Sequence, residues 1–221
     1  KEIIYLDLAG KKSGAIEITS DGWKLISNPP VKFVRPNGML TLSNPERGGS
    51  IDDLAKLVNL SNKDDLKLLV CCLTYYLNPM GPFPIIIIQG EQGSAKSTFS
   101  KIIRSLIDPS SAPLRSAPRN EQDLMISAQN GWVLNFDNMS NLSQKMSDAL
   151  CRLSTGGGIS TRTLYTNAEE IILQAIRPIC LNGITEFATK PDLLDRSLIF
   201  KLSPIPKRIR KEERVFWTEF E

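Results

Sequence analysis

The run Gly90-Glu91-Gln92-Gly93-Ser94-Ala95-Lys96-Ser97-Thr98 concentrates residue types that grip a polyphosphate. Gly90 and Gly93 let the backbone curl so that successive N–H groups converge on oxygen atoms. Lys96 adds a mobile cation for the β and γ phosphates, and the Ser97 hydroxyl can ligate Mg²⁺. The expected ligands are therefore ATP and Mg²⁺, held by residues 90–98. The pattern G-x-x-x-x-G-K-[ST] wants glycine where Ala95 stands; alanine fits there if its φ is negative, as it is in a helix that has already begun. A turn that merely joins a strand to a helix would carry similar glycines, but the strand and helix that the pattern requires both flank this one.

A second acidic position completes such a site. Trp132-Val133-Leu134-Asn135-Phe136-Asp137-Asn138 is an apolar run closing on a carboxylate, and Asp137 there would organise the metal together with Ser97. A strand ending in an Asx turn is the plain alternative. Asn138 stands where an acid could take a proton from water; an amide orients water but accepts no proton. That leaves Glu121 or Asp123 as base, or a reaction run on positioning and electrostatics. The chain has no histidine, which excludes a Ser-His-Asp triad, a His base and any His metal ligand.

These groups need a scaffold. Ile85 to Ile88 is an unalternated apolar run, the mark of a strand buried on both faces. Further strands are expected at Leu114–Ala117, Trp132–Phe136, Pro178–Leu181 and Ser197–Leu202, with helices at Thr98–Ile107, Glu121–Gln129, Gln144–Ser154 and Pro191–Leu194. That alternation predicts an α/β fold with a parallel sheet. Ahead of it, residues 1–45 alternate in the manner of a small antiparallel β module with turns at Gly10–Gly14 and Ser20-Asp21-Gly22. Residues 46–80 form a helical linker or collar: Ser50 and Asp53 make a capping box for a helix at Ile51–Leu57, and a second helix spans Asn62–Leu77. Residues 81–206 are the core, and 207–221 begin a C-terminal helix.

Composition agrees with a folded domain. Of 221 residues 41% are apolar and 23% charged, with 27 Lys and Arg against 24 Asp and Glu, a net charge of +3. This excludes disordered, collagen-like and disulfide-scaffold classes. No apolar run is long enough to span a membrane. Cys71, Cys72, Cys151 and Cys180 form no C-x-x-C pair, and the adjacent Cys71 and Cys72, in an apolar helical stretch, read as core thiols of a reducing compartment, so a cytoplasmic location is expected.

Taken together, Gly90–Thr98, Val133–Asn138, Gly156-Gly157-Gly158-Ile159-Ser160-Thr161-Arg162, Leu181-Asn182-Gly183 and Asp195-Arg196-Ser197 resemble the AAA+ ATPase core of superfamily 3-type helicases. The likeness is to the primase–helicase-like ATPases of phages, large DNA viruses and mobile elements, and it covers roughly residues 80–203. It implies a three-layer P-loop NTPase sheet in the strand order 5-1-4-3-2. It also implies an ATP-hydrolysing motor, a ring-forming DNA helicase for a phage, plasmid or other mobile element. An ATP-dependent initiator or loader that does not unwind DNA, and a protein remodeller, are the alternatives. Expected partners are ATP, single-stranded or forked DNA, and further copies of the chain in a homo-oligomeric ring, a hexamer being one size; no membrane is involved.

The resemblance assigns further roles. Asn182 matches the polar residue that helps place the attacking water, and Arg196 the finger that a neighbouring subunit inserts toward the γ phosphate. Locally, Asn182-Gly183 also reads as a turn pair, and Arg196 as an ion-pair partner of Asp192 or Asp195. The stretch Thr161–Leu173 reads as a hairpin. In the family such a hairpin lines the pore, which would bring Arg162, Tyr165 and Asn167 to nucleic acid; an ordinary solvated hairpin is the other reading. The tail Lys207–Arg214 interleaves bases and acids as a solvated helix face does, and the family continues into a helical lid beyond it.

Overall fold

The computed structural model describes residues 3–10, 14–157, 159–162, 170–184 and 186–220, with backbone alone for 159–162 and 170–173. Strands β1 (Ile4–Asp7), β2 (Ala15–Thr19) and β3 (Gly22–Ile26) pair antiparallel in that order, the expected meander. An extended segment returns from it and pairs with the loop at Pro109–Ser111, where the Leu40 N–H donates to the Pro109 carbonyl. Then follow α1 (Ile51–Leu57) and α2 (Lys63–Tyr75). The α1 capping box is present: the Ser50 hydroxyl accepts from the Asp52 N–H at 3.1 Å, and the Asp53 carboxylate from the Ser50 N–H at 3.4 Å.

The rest of the chain runs β4 (Ile85–Gly90), α3 (Lys96–Ile107), β5 (Arg115–Ser116), α4 (Glu121–Gln129), β6 (Leu134–Asp137), α5 (Gln144–Thr155), β7 (Ile159–Arg162), β8 (Glu170–Leu173), β9 (Ile179–Gly183), α6 (Pro191–Asp195), β10 (Ser197–Leu202) and α7 (Glu213–Phe220). Five strands form one parallel sheet ordered β10-β4-β9-β6-β5. Counted along the chain within that sheet, the order is 5-1-4-3-2. β7 and β8 form a separate antiparallel hairpin.

The isoleucine run shows why β4 is an interior strand, between β10 and β9. Side chains alternate across a strand, so Ile85 and Ile87 enter one core while Ile86 and Ile88 enter the other, and all four are fully buried. The first core joins them to Phe136 of β6 and to Leu124, Leu150 and Leu193 of the α4, α5 and α6 layer. The second joins them to Leu69, Leu73, Phe99 and Ile103 of α2 and α3, with Phe216 and Trp217 of α7 packed at its margin.

Two expectations need correction. Cys72, Cys151 and Cys180 are core thiols, but Cys71 is exposed, since adjacent helical positions cannot face the same way. The basic tail is not one helix: Lys207–Ile209 is a short 3₁₀ turn, and α7 begins only at Glu213, because Pro204 and Pro206 hold the preceding backbone extended.

Candidate functional site

Parallel strands all deliver their carboxyl ends to one edge of the sheet, and at that edge β4, β6 and β9 release Gly90, Asp137 and Asn182 side by side. Helix α3 starts there too. Asn62, Asn120 and Ser143 cap α2, α4 and α5 with side-chain oxygens, but α3 has Ala95 as its N-cap and no side-chain cap bond. Its first N–H groups and the positive end of its dipole are left for something outside the helix.

The loop between β4 and α3 curls as its glycines predict. A side chain at Gly90 would meet the Leu202 carbonyl at 2.6 Å, and Gly93 takes φ +81°. Ala95 departs from the expectation of negative φ: it sits at φ +65°, ψ +29°, in the left-handed region. The loop must turn its N–H groups inward before the helix begins, and the turn falls on the residue that is usually glycine. For a residue with a Cβ this conformation costs about 1–2 kcal/mol.

When N–H groups converge on one side of a loop, the carbonyls diverge on the other and each needs a donor. Lys96 Nζ donates to the Gly90 and Glu91 carbonyls at 2.7 and 2.8 Å, and the Ser94 hydroxyl also donates to Glu91 at 2.8 Å. The Gly93 carbonyl accepts from the Ile205 N–H at 3.0 Å. Asn59 Nδ2 donates to the Ser94 carbonyl at 3.1 Å and to the Ser203 carbonyl at 2.7 Å. Burial draws the Lys96 ammonium below the ordinary lysine pKa, with the Asp137 charge opposing the shift.

Across the cavity, Ser97 Oγ donates to Asp137 Oδ1 at 2.9 Å. A hydroxyl beside a carboxylate is a pair of hard oxygen donors, the kind magnesium takes along with phosphate and water oxygens. Among the described residues no cluster of three or more His, Cys, Asp or Glu that could hold a metal ion exists. Asn182, buried at 1% exposure, accepts from the Asn138 N–H at 3.1 Å through Oδ1 and donates to Ser100 Oγ at 2.8 Å through Nδ2. Asn135 Nδ2 donates to the Ser100 carbonyl at 2.5 Å. Asn138 itself is left-handed at φ +58°, which asparagine tolerates.

These groups line a cavity of about 430 Å³ that reaches from Gln92 and Thr98 to Asp137, Asn138 and Asn182. A second cavity, of about 560 Å³, shares Gly93, Ala95, Ser97 and Thr98 with it. Its walls are the end of α1 and the strap that follows β10, with Leu57, Val58, Ile205, Ile209 and Phe216 as apolar surface and Arg210 at the rim. The strap leans on the loop: a Cβ at Gly93 would come within 2.2 Å of the Arg210 guanidinium.

Sequence reasoning placed Lys96, Ser97, Asp137, Asn138 and Asn182 together, and the structure brings them to one cavity. Glu121 and Asp123 do not line that cavity; they pair with Arg152 at 3.1 Å and Arg119 at 2.9 Å. Arg196 sits at the opposite end of the sheet: its carbonyl accepts from the Ile85 N–H at the start of β4, and its guanidinium pairs with Asp192. The six residues of β4 separate it from the loop, about 20 Å at roughly 3.3 Å per residue. Arg162 ends strand β7, while Tyr165 and Asn167 lie outside the described residues. Sequence reasoning missed Asn59, Ile205 and Arg210, which meet the loop only through the fold. Ser100 and Asn135 did carry a signal: Ser100 lies three residues beyond Ser97 on the same helix face, and Asn135 interrupts an apolar strand.

Residues 51–221 match the family described as actinomycete integrative conjugative element replication protein. No curated protein sequence matches significantly. Among solved structures, an apo form of the NrS-1 C-terminal region aligns at TM-score 0.55 and 12% identity, covering 95% of this chain and 61% of that one. Another apo structure of that region gives 0.52 and 11%, covering 98% and 62%. A JCV helicase gives 0.47 and 11%, covering 70% and 45%. The chain thus spans less than two thirds of the length of each.

Proposed function

The chain belongs to the family of actinomycete integrative conjugative element replication proteins, and on that premise we propose that it is an ATP-hydrolysing AAA+ motor, a ring-forming DNA helicase in the replication of such an element. The observation that carries the reading is the meeting, in one cavity, of the uncapped α3 N-terminus, Lys96, and the Ser97–Asp137 pair. ATP lies with its phosphates in the first cavity and its base toward the apolar walls of the second. Lys96 leaves the Gly90 and Glu91 carbonyls for the β and γ phosphate oxygens. Ser97 and Asp137 would hold Mg²⁺, and the ion would supply positive charge beside the transferred phosphoryl group.

Asn182 holds its position through Asn138 and Ser100 and keeps a second amide N–H for the attacking water. Asp137 is the one carboxylate among the described residues lining this cavity. Catalysis therefore leans on orientation and electrostatics rather than on a dedicated base in the same chain. Arg196 is too far from its own loop to serve it, so it acts on the site of a neighbouring protomer.

The test is ATPase rate with and without single-stranded DNA across protein concentration, for the wild type and Lys96→Ala. The proposal expects DNA-stimulated, concentration-dependent turnover that Lys96→Ala abolishes; turnover unchanged by that substitution refutes it. Asn138 favours a second reading, an ATP-gated loader that assembles on DNA without unwinding it. Strand displacement on a forked duplex separates the two.

A further inference from the structure

Ala95 holds a left-handed conformation at a position where nothing in its own chemistry favours it. Rotating the Ser94–Ala95 peptide plane by a half turn, with ψ of Ala95 held at +29° by the helix, would carry its φ from +65° to about −115°, out of the left-handed region and into the bridge region, which a residue with a Cβ enters at less cost. The same rotation would swing the Ser94 carbonyl toward the phosphate cavity and the Ala95 N–H away from it, since the two point in opposite directions across a trans peptide. One donor opposes the flip: Asn59 Nδ2, bound to the Ser94 carbonyl at 3.1 Å. Asn59 is anchored in turn by its second N–H on the Ser203 carbonyl at 2.7 Å, and it follows Val58, which is buried in the core.

We propose that Asn59 is a positioning residue of the nucleotide site, a latch that keeps the Ser94–Ala95 peptide in its phosphate-binding orientation against the bias of Ala95. The inference rests on the reading of the cavity as a nucleoside triphosphate site. It has a consequence beyond that reading. The latch is shared with the strap at Ser203, so displacement of the strap loosens the loop, and occupancy of the loop favours an ordered strap.

Asn59→Ala, Ala95→Gly and the double variant test it. Mg-ATP affinity is measured by calorimetry, and the Cα and Cβ chemical shifts of Ala95 by NMR of the ligand-free protein. Asn59→Ala is expected to weaken Mg-ATP binding about tenfold, the loss of one hydrogen bond's worth of bias, and to move the Ala95 shifts away from left-handed values. Ala95→Gly alone binds at least as tightly as the wild type. In the Asn59→Ala background it restores most of the lost affinity, because glycine has no preference to flip. A contact that merely supports packing would not be rescued this way. Unchanged Ala95 shifts in Asn59→Ala, or a double variant as weak as the single one, overturns the latch. If the shifts change as expected while the wild type binds no Mg-ATP, the latch stands and the nucleotide reading fails.

Discussion

Helix α3, which presents Lys96 and Ser97, is fixed to the sheet by a buried ion pair whose removal has a calculable effect. Arg104 is 1% exposed and Asp108 6%. The guanidinium donates to the Asp108 carbonyl at 2.7 Å and to the Val133 carbonyl, and lies 3.0 Å from Asp108 Oδ2. That same oxygen accepts from the Trp132 and Val133 N–H groups at 2.8 and 3.0 Å, locking the entry to β6. Arg104→Met orphans two carbonyls and leaves a carboxylate buried without its cation, a loss of about 3–5 kcal/mol. A whole domain has only about 5–15 kcal/mol to lose. Adding Asp108→Asn removes the stranded charge, while the amide oxygen still accepts from both N–H groups. The uncompensated charge is then gone, and the remaining deficit, from the two carbonyls and the new amide N–H groups, is smaller than that of the single variant.

The two variants also differ in pH dependence. Burial raises the Asp108 pKa, and the Arg104 charge pulls against it; without Arg104 it climbs further. A carboxylate whose folded pKa lies above its unfolded one binds more protons in the native state between those values, so stability falls as pH rises through that window. The Arg104→Met deficit therefore shrinks on acidification from pH 7 toward the ordinary aspartate range, whereas the double variant shows no such trend. Urea melts at several pH values measure both. A single variant within 1 kcal/mol of wild type, or a double variant no more stable than the single one, refutes the account.

Two further outcomes follow from the placement of side chains. Arg196→Ala should keep Mg-ATP affinity and lose turnover, and mixing it with the equally inactive Lys96→Ala protein should restore part of the rate, because hybrid interfaces pair an intact loop with an intact arginine; a mixture that stays dead removes the trans role. Among the four cysteines only Cys71 is exposed, and burial pushes the Cys72, Cys151 and Cys180 thiols up to about 11, 11 and 12. A disulfide exchange reagent at pH 8 should titrate one thiol per native chain and all four after unfolding.

The sheet and most of its helices were legible in the chain because their signals are local. Four consecutive isoleucines announce a strand covered on both faces, and Ser50 with Asp53 announces a helix start where the Ser50 side chain does accept a free N–H group. The site was legible where one short segment carries it, from Gly90 to Thr98, and where an apolar run ends in a charge, at Asp137. It was opaque where the contact is made by the fold. Asn59 reaches a carbonyl 35 residues away and another 144 away. Nothing near position 59 distinguishes it from an ordinary loop asparagine. The conformation of Ala95 was misjudged for a related reason: helix propensity favours negative φ, but the need to aim N–H groups into a cavity overrides it.

The division of the site between two ends of one sheet bears on how the proposed hydrolysis would be controlled. The residues proposed to bind phosphate and metal sit together at the carboxyl edge of a single chain, whereas Arg196 lies one strand length away and pairs with Asp192. A lone protomer would thus bind nucleotide and hydrolyse it slowly, having positioned donors but neither a second carboxylate nor a finger. In the proposed ring, assembly would supply the finger, at the modest cost of exchanging an exposed ion pair for a phosphate contact. The replacement of an acid by Asn138 removes the one feature that could have made a single chain fast. On this reading the substitution confines rapid turnover to the assembled state, and a protomer that hydrolyses ATP at full rate at high dilution would contradict it.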